Sequence, residues 1–148
     1  MLMNTIVTAT APVTPEHRAA ILAPLADYNQ RSAPPSKSED VVITLIDDNG
    51  TPSGGLIGRT AHDWLFVEYL SVPEQTRGAG AGRKLLKEAE TLAISRGCIG
   101  AWLDTFSWQA RGFYEKCGYS VFGALENHPV GHSRFFLRKL FSEQQPTV

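Results

Sequence analysis

The stretch Val72-Pro73-Glu74-Gln75-Thr76-Arg77-Gly78-Ala79-Gly80-Ala81-Gly82-Arg83-Lys84-Leu85-Leu86 decides how the rest of the chain is read. Three glycines alternate with alanines between an apolar strand-like run and the apolar stripe of a helix. Small residues let a ligand approach the backbone, and a helix start presents unpaired N–H groups with a partial positive charge. Arg77, Arg83 and Lys84 add full charges at the same place. This combination points to a phosphate, and most directly to a pyrophosphate. It is not a Walker A loop, because Gly82 is followed by Arg83 and Lys84 rather than by Lys and a hydroxyl residue. Nor is it the dinucleotide fingerprint, whose third glycine would fall at Arg83.

Outward from this loop, Trp64–Val72 is nearly continuously apolar, as for a strand covered on both faces. Ala79–Arg96 reads as a helix with Leu85, Ala89 and Leu92 on one stripe, stopped by Gly97. Ile99–Asp104 is a strand, Ser107–Cys117 a short helix closed by Gly118, and Tyr119–Leu125 and Ser133–Leu140 two final strands. The polar tail after Phe141 reads as frayed. Upstream, Val41–Ile46 and Gly54–Thr60 form a hairpin around Asp47-Asp48-Asn49-Gly50. Thr5–Thr10 alternates like a first strand, and Thr14-Pro15-Glu16 starts a helix that Pro24 should kink or split. Gln30–Asp40 reads as a polar loop over a binding site. The predicted order, β-α-β-β-β-α-β-α-β-β, is a mixed α/β layer around one sheet.

Gln75-Thr76-Arg77-Gly78-Ala79-Gly80 matches, at every specified position, the pattern Gln/Arg-x-x-Gly-x-Gly/Ala. It resembles the acetyl-coenzyme A loop of the GNAT superfamily of N-acetyltransferases. One strand later, Ala110-Arg111-Gly112-Phe113-Tyr114-Glu115-Lys116-Cys117-Gly118-Tyr119 is similar to that family's Ala-x-x-Phe/Leu-Tyr-Glu-Lys-x-Gly-Phe helix. The resemblance runs from about Val41 to Leu140. It implies a single domain over residues 1–148, with a mixed, mostly antiparallel sheet, a central splayed parallel strand pair and helices on both faces. It also implies acetyl-coenzyme A as co-substrate, no metal, and direct transfer of the acetyl group to an amine without an acyl-enzyme. The pantetheine arm would bond the backbone of Leu70, Ser71 and Val72, and the pyrophosphate would take N–H groups from Gly78, Ala79, Gly80, Ala81, Gly82 and Arg83, beside Arg77. Ser107 stands where many members carry a cofactor-touching Asn, with Gln109 as a substitute. Tyr114 stands where the family keeps the acid for the departing thiolate, also against the cofactor.

An amine with a pKa of ~10.4 must lose a proton before it attacks, and a thiolate leaving group gains from a nearby acid. The phenol of Tyr114 can donate at neutral pH; its alternative role is a packed core tyrosine. For the base, Glu68 interrupts an apolar strand and by the period of two shares a face with Trp64, Phe66, Leu70 and Val72. Desolvation there would raise its pKa toward that of a useful base. Asp104, at the end of the neighbouring strand, competes with it, and so does a water chain. His128 and His132 bracket Pro129 and Gly131, which break the helix a metal pair would need. Cys117 reads as core, and Trp108 as packing or a wall of the acceptor pocket. The acceptor, a small-molecule or peptide amine, is expected under the Gln30–Asp40 loop and beside the final hairpin at Asn127–Ser133.

Composition narrows the alternatives. Fourteen Lys and Arg against fifteen Asp and Glu leave a net charge of -1, so no global basic field holds nucleic acid or an anionic membrane. No apolar run approaches the roughly 20 residues of a membrane span, and the first residues lack a signal-peptide pattern. Two cysteines, Cys98 and Cys117, make neither a disulfide scaffold nor a zinc site. These features fit a cytoplasmic enzyme, with a homodimer left open. The rival reading is a coenzyme A-binding sensor or carrier module that has lost catalysis.

Overall fold

The computed structural model describes residues 3–144 and divides the chain into two compact units, Met1–Pro35 and Ser36–Val148. Where the tail is expected to fray after Phe141, Phe141–Gln144 instead form a short 3-10 helix, and the residues after it lie outside the described ones. In the first unit, helix α1 spans Pro15–Ser32. Its start is closed by a reciprocal pair: the Thr14 hydroxyl accepts from the His17 N–H at 3.1 Å, and the Thr14 N–H donates to His17 Nδ1 at 3.2 Å. Pro24 does not split the helix. Its fixed φ is itself helical, so a proline removes one backbone bond without changing the chain's direction outright. The loop expected from Gln30 is therefore shorter, because Gln30–Ser32 complete α1. No strand forms at Thr5–Thr10. Alternating β-branched residues favour extended backbone, but a strand also needs a partner for its N–H and C=O groups.

The second unit is built on β1 (Glu39–Ile46), β2 (Pro52–Ala61), β3 (Trp64–Ser71), α2 (Ala81–Ser95), β4 (Gly100–Phe106), α3 (Arg111–Lys116), β5 (Ser120–Glu126) and β6 (Ser133–Leu140). Its six strands form one sheet in the order β1-β2-β3-β4-β6-β5, antiparallel except where β3 meets β4. Leu85, Leu86, Ala89 and Ala93 of α2 are buried with Leu56, Leu65, Val67, Ala101, Leu103 and Leu137 of the sheet. Burying one such leucine contributes roughly 1.5–3 kcal/mol relative to exposure, so this stripe fixes α2 on the strands.

Two local departures shape everything downstream. The first is a bulge in β3. Ile57 pairs with Tyr69, but Gly58 pairs with Val67, leaving Glu68 as the extra residue. A Cβ at Gly58 would collide with the Phe66 carbonyl oxygen, so the glycine is what lets the strands approach here. The bulge reverses the alternation: Leu65 and Val67 are buried, Glu68 and Tyr69 are exposed, and Leu70 turns back to pack on the core. The expectation that Glu68 shares a face with Leu70 and Val72 therefore fails, as does that of a strand covered on both faces. The second departure is the parallel pairing itself, which stops at Val67 and Leu103. Beyond it β3 stays with β2 and β4 with β6, so the two parallel strands splay.

Candidate functional site

A cleft of about 720 Å³ opens at the C-terminal ends of the splayed strands. In open α/β sheets that is where connections diverge and leave room for a ligand. One wall is Leu70, Ser71 and Val72 followed by the glycine loop; the other is the turn from Trp108 to Ala110 and the helix face of Phe113 and Tyr114. Arg77, Gly78, Gly80, Ala81, Gly82, Arg83 and Gln109 complete most of the lining. Ala79 lies in the loop but is not part of the lining, and neither are Ser107, Glu68 and Asp104.

The glycine loop has a specific geometry. Gly78 and Gly80 sit in the left-handed region at φ 87° and 82°, where a Cβ is strained. Gly80 is the N-cap of α2, and no side chain caps the helix. The helix therefore begins at Ala81 rather than Ala79, and the N–H groups of its first turn are available to a ligand. At Gly82 a Cβ would stand only 3.2 Å from the Phe113 ring, so the glycine lets α3 pack against the start of α2. The Arg77 guanidinium folds onto the Val72 carbonyl at 3.3 Å, and that of Arg83 reaches the Lys116 carbonyl at 3.3 Å.

Tyr114 is buried to 9% exposure, and its ring meets those of Phe113 and Tyr119 edge-on. Burial, with smaller contributions from Cys117 and Asp104, pushes its phenol up to about 12. It is thus protonated throughout the neutral range. Cys117 is buried and its thiol is pushed up by the same desolvation, in keeping with a core residue.

The two carboxylates are placed differently from expectation. Glu68 is 41% exposed at the bulge, with its carboxylate 3.8 Å from Arg59, so it is not the expected carboxylate buried in an apolar strand. Asp104 is interior to β4, not at its end, because the strand continues to Phe106. Its side chain is 18% exposed, accepts from Arg134 Nε at 2.9 Å and stands 2.9 Å from Nη2 of the same guanidinium. That bond holds the Arg134 guanidinium proton more firmly than usual.

Ser107 is not the cap of α3, which starts at Arg111. The residues between form a turn, because the Phe106 N–H donates to Gln109 Oε1 at 2.8 Å and the Ser107 N–H to the Ser133 carbonyl at 2.8 Å. The Ser107 hydroxyl accepts from the Ser133 N–H at 3.1 Å and meets His132 Nδ1 at 3.3 Å. Ser107 thus ties the turn to the β5–β6 hairpin, and the oxygen of Gln109 is spent on holding that turn.

Thr76, Ala110 and Phe113 line the cleft without having been singled out for it. Phe113 and Ala110 belong to the inner stripe of α3, and periodicity alone cannot separate a core-facing residue from a cleft-facing one. The alternation of small residues reaching back from Gly80 was the available signal for Thr76.

The Acetyltransferase (GNAT) family model matches residues 9–119. Acetyltransferase Atu2258 of Agrobacterium fabrum is 41% identical over 126 residues, covering 85% of this chain and 92% of that protein. Blasticidin-S acetyltransferase of Streptomyces morookaense is 38% identical over 93 residues, 62% of this chain and 68% of that protein. A crystal structure assigned as an acetyltransferase from Agrobacterium tumefaciens superposes with a TM-score of 0.83 at 40% identity, covering 94% of this chain and 100% of that one. With the splayed parallel pair and the open glycine loop between its strands, the chain belongs to the GNAT acetyltransferase family.

Proposed function

We propose that the protein is an acetyl-coenzyme A-dependent N-acetyltransferase that passes the acetyl group directly to a primary amine of a small molecule or peptide. The observation that carries this reading is the coincidence of two features at one cleft: a helix start left uncapped behind left-handed glycines, and two parallel strands that part beside it. In this reading the pyrophosphate takes N–H groups from the Gly78–Arg83 segment, where the helix dipole favours an anion. The amide groups of the pantetheine arm bond the unpaired edge of β3 at Leu70, Ser71 and Val72, extending the sheet by one partner.

The amine lone pair attacks the thioester carbonyl carbon, a C–N bond forms, and the C–S bond breaks. The departing sulfur takes the proton of the Tyr114 hydroxyl, which its raised pKa keeps in place at neutral pH, and the phenol is reprotonated from solvent before the next turnover. Glu68 is the proposed acceptor of the amine proton, directly or through water. It stands at the bulge where the strands separate and is held only by a half-exposed pair at 3.8 Å, whereas Asp104 is committed to Arg134. Ser107 and Gln109 act by setting the turn that carries the far wall.

A screen of amines for thiol release from acetyl-coenzyme A tests the proposal. Release that depends on the added amine is the expected result. Tight coenzyme A binding without release for any amine would favour the sensor reading.

A further inference from the structure

Trp108 is 55% exposed yet lines the cleft, and it is not loosely held. One face of its indole is stacked on Phe106, with centroids 4.5 Å apart and an interplanar angle of 10°. The His132 ring meets it edge-on at 5.0 Å, and His128 meets Phe106 in the same way at 5.7 Å. The hairpin is fastened to this cluster through Ser107, as described above. A large aromatic ring that is fixed from behind and left open in front offers stacking area at little entropic cost.

The charge around it is equally restrictive. Among the described residues, no Asp or Glu lines the cleft. Asp104, beside it in β4, is already bonded to Arg134, whose guanidinium stands 5.5 Å from the Phe106 ring. Glu68, the proposed base, lies outside this lining and faces Arg59, so a polycation would find at most one carboxylate for its several charges. A planar ring would find a π-face, and an apolar wall favours the neutral form of an amine over the charged one.

Building on the acetyltransferase reading, we infer that Trp108, backed by Phe106, His128 and His132, is the acceptor platform. The acceptor is an amine carried on a planar aromatic or heteroaromatic ring, not a polyamine. The amine end would then lie toward Tyr114 on the same wall of the cleft.

Calorimetric titration of tyramine, n-hexylamine and spermidine into protein saturated with coenzyme A tests this directly. Tyramine is expected to bind tightest. Trp108→Ala should weaken it by about three- to tenfold, the worth of one stacked aromatic pair, and Trp108→Phe should restore most of the loss. Coenzyme A affinity, measured on the same variants, should fall by a smaller factor. Equal binding of spermidine or n-hexylamine, or tyramine binding unchanged in Trp108→Ala, would overturn the platform. A loss of coenzyme A affinity as large as that of tyramine would overturn it too, by making Trp108 a wall for the cofactor. Thiol release reads the other proposal separately: tyramine bound through Trp108 with no release for any amine in the screen would overturn the transferase reading and support the platform as a ligand site.

Discussion

Tyr114 and Tyr119 lie on either side of the stop that ends α3, and burial raises the pKa of both phenols. What surrounds them differs. The Tyr119 hydroxyl donates to Glu90 Oε2 at 2.8 Å, and Lys139 Nζ donates to Glu90 Oε1 at 2.8 Å. Glu90 is 4% exposed, so this is a closed knot joining α2, the start of β5 and β6. Tyr114 instead lines the cleft, packed by two rings, and among the described residues it is bound into no such network. Within one ten-residue motif, then, a satisfied phenol serves the fold, and a phenol lining the cleft is the one proposed for chemistry.

The largest effect should come from cutting the knot. Glu90→Ala leaves Lys139 buried without its counter-charge, and equilibrium unfolding should show a loss of about 3–5 kcal/mol. Tyr114→Phe keeps the packing and removes one proton. Turnover should fall by about 10²-fold with coenzyme A affinity within about threefold, because a general acid acts on the transition state. Wild-type turnover would return Tyr114 to the same class as its neighbour. Tyr119→Phe should show the reverse: a stability loss of about 1–2 kcal/mol from one charged hydrogen bond, and turnover per folded molecule unchanged.

The two phenols also set an alkaline signature. A pKa raised on folding means that the stabilising, protonated form is fully present below the unfolded value of ~10. For Tyr114 that contribution is lost as pH rises from ~10 toward the folded value of about 12. Stability of the wild type measured across that window should therefore fall more steeply than that of Tyr114→Phe. Below pH ~10 the phenol stays protonated, so Tyr114 should add no alkaline limb to turnover.

The smallest and most selective difference concerns the carboxylates. Glu68→Gln is expected to remove the acidic limb of the pH–rate profile, and Asp104→Asn to leave it in place while loosening Arg134. Loss of that limb in Asp104→Asn alone would reverse the roles. Its survival in both variants would leave the proton to a water chain.

The fold was legible wherever one pattern covered a whole element. The stripe of Leu85, Leu86, Ala89 and Ala93, the strands of the second unit and the glycine loop all lie where periodicity and turn chemistry put them. Reading failed where a single residue changed the count. Glu68 is an insertion into the ladder, and a period of two carries no mark of an insertion. Ser107 has the composition of a helix cap, but the side chain of Gln109 and the backbone of Ser133 claim the groups that would have started the helix. At Thr5–Thr10, local preference for extended backbone met no partner strand. In the site, the loop and Tyr114 were visible through their motifs. The burial of Asp104 against Arg134 was not, because it joins neighbouring strands that lie thirty residues apart in sequence.

The most direct test of the central claim is a calorimetric titration of coenzyme A into the wild type and into Gly80→Asp. Gly80 is the uncapped start of α2, with nothing within 4 Å of where a Cβ would stand, so an aspartate there displaces nothing in the core, though its left-handed backbone is strained. Its carboxylate would occupy the N–H groups and repel the pyrophosphate. The expected result is a cooperative unfolding transition lowered by no more than about 1–2 kcal/mol of backbone strain, with coenzyme A affinity reduced on the order of tenfold or more. Unchanged affinity in a folded Gly80→Asp protein would contradict it.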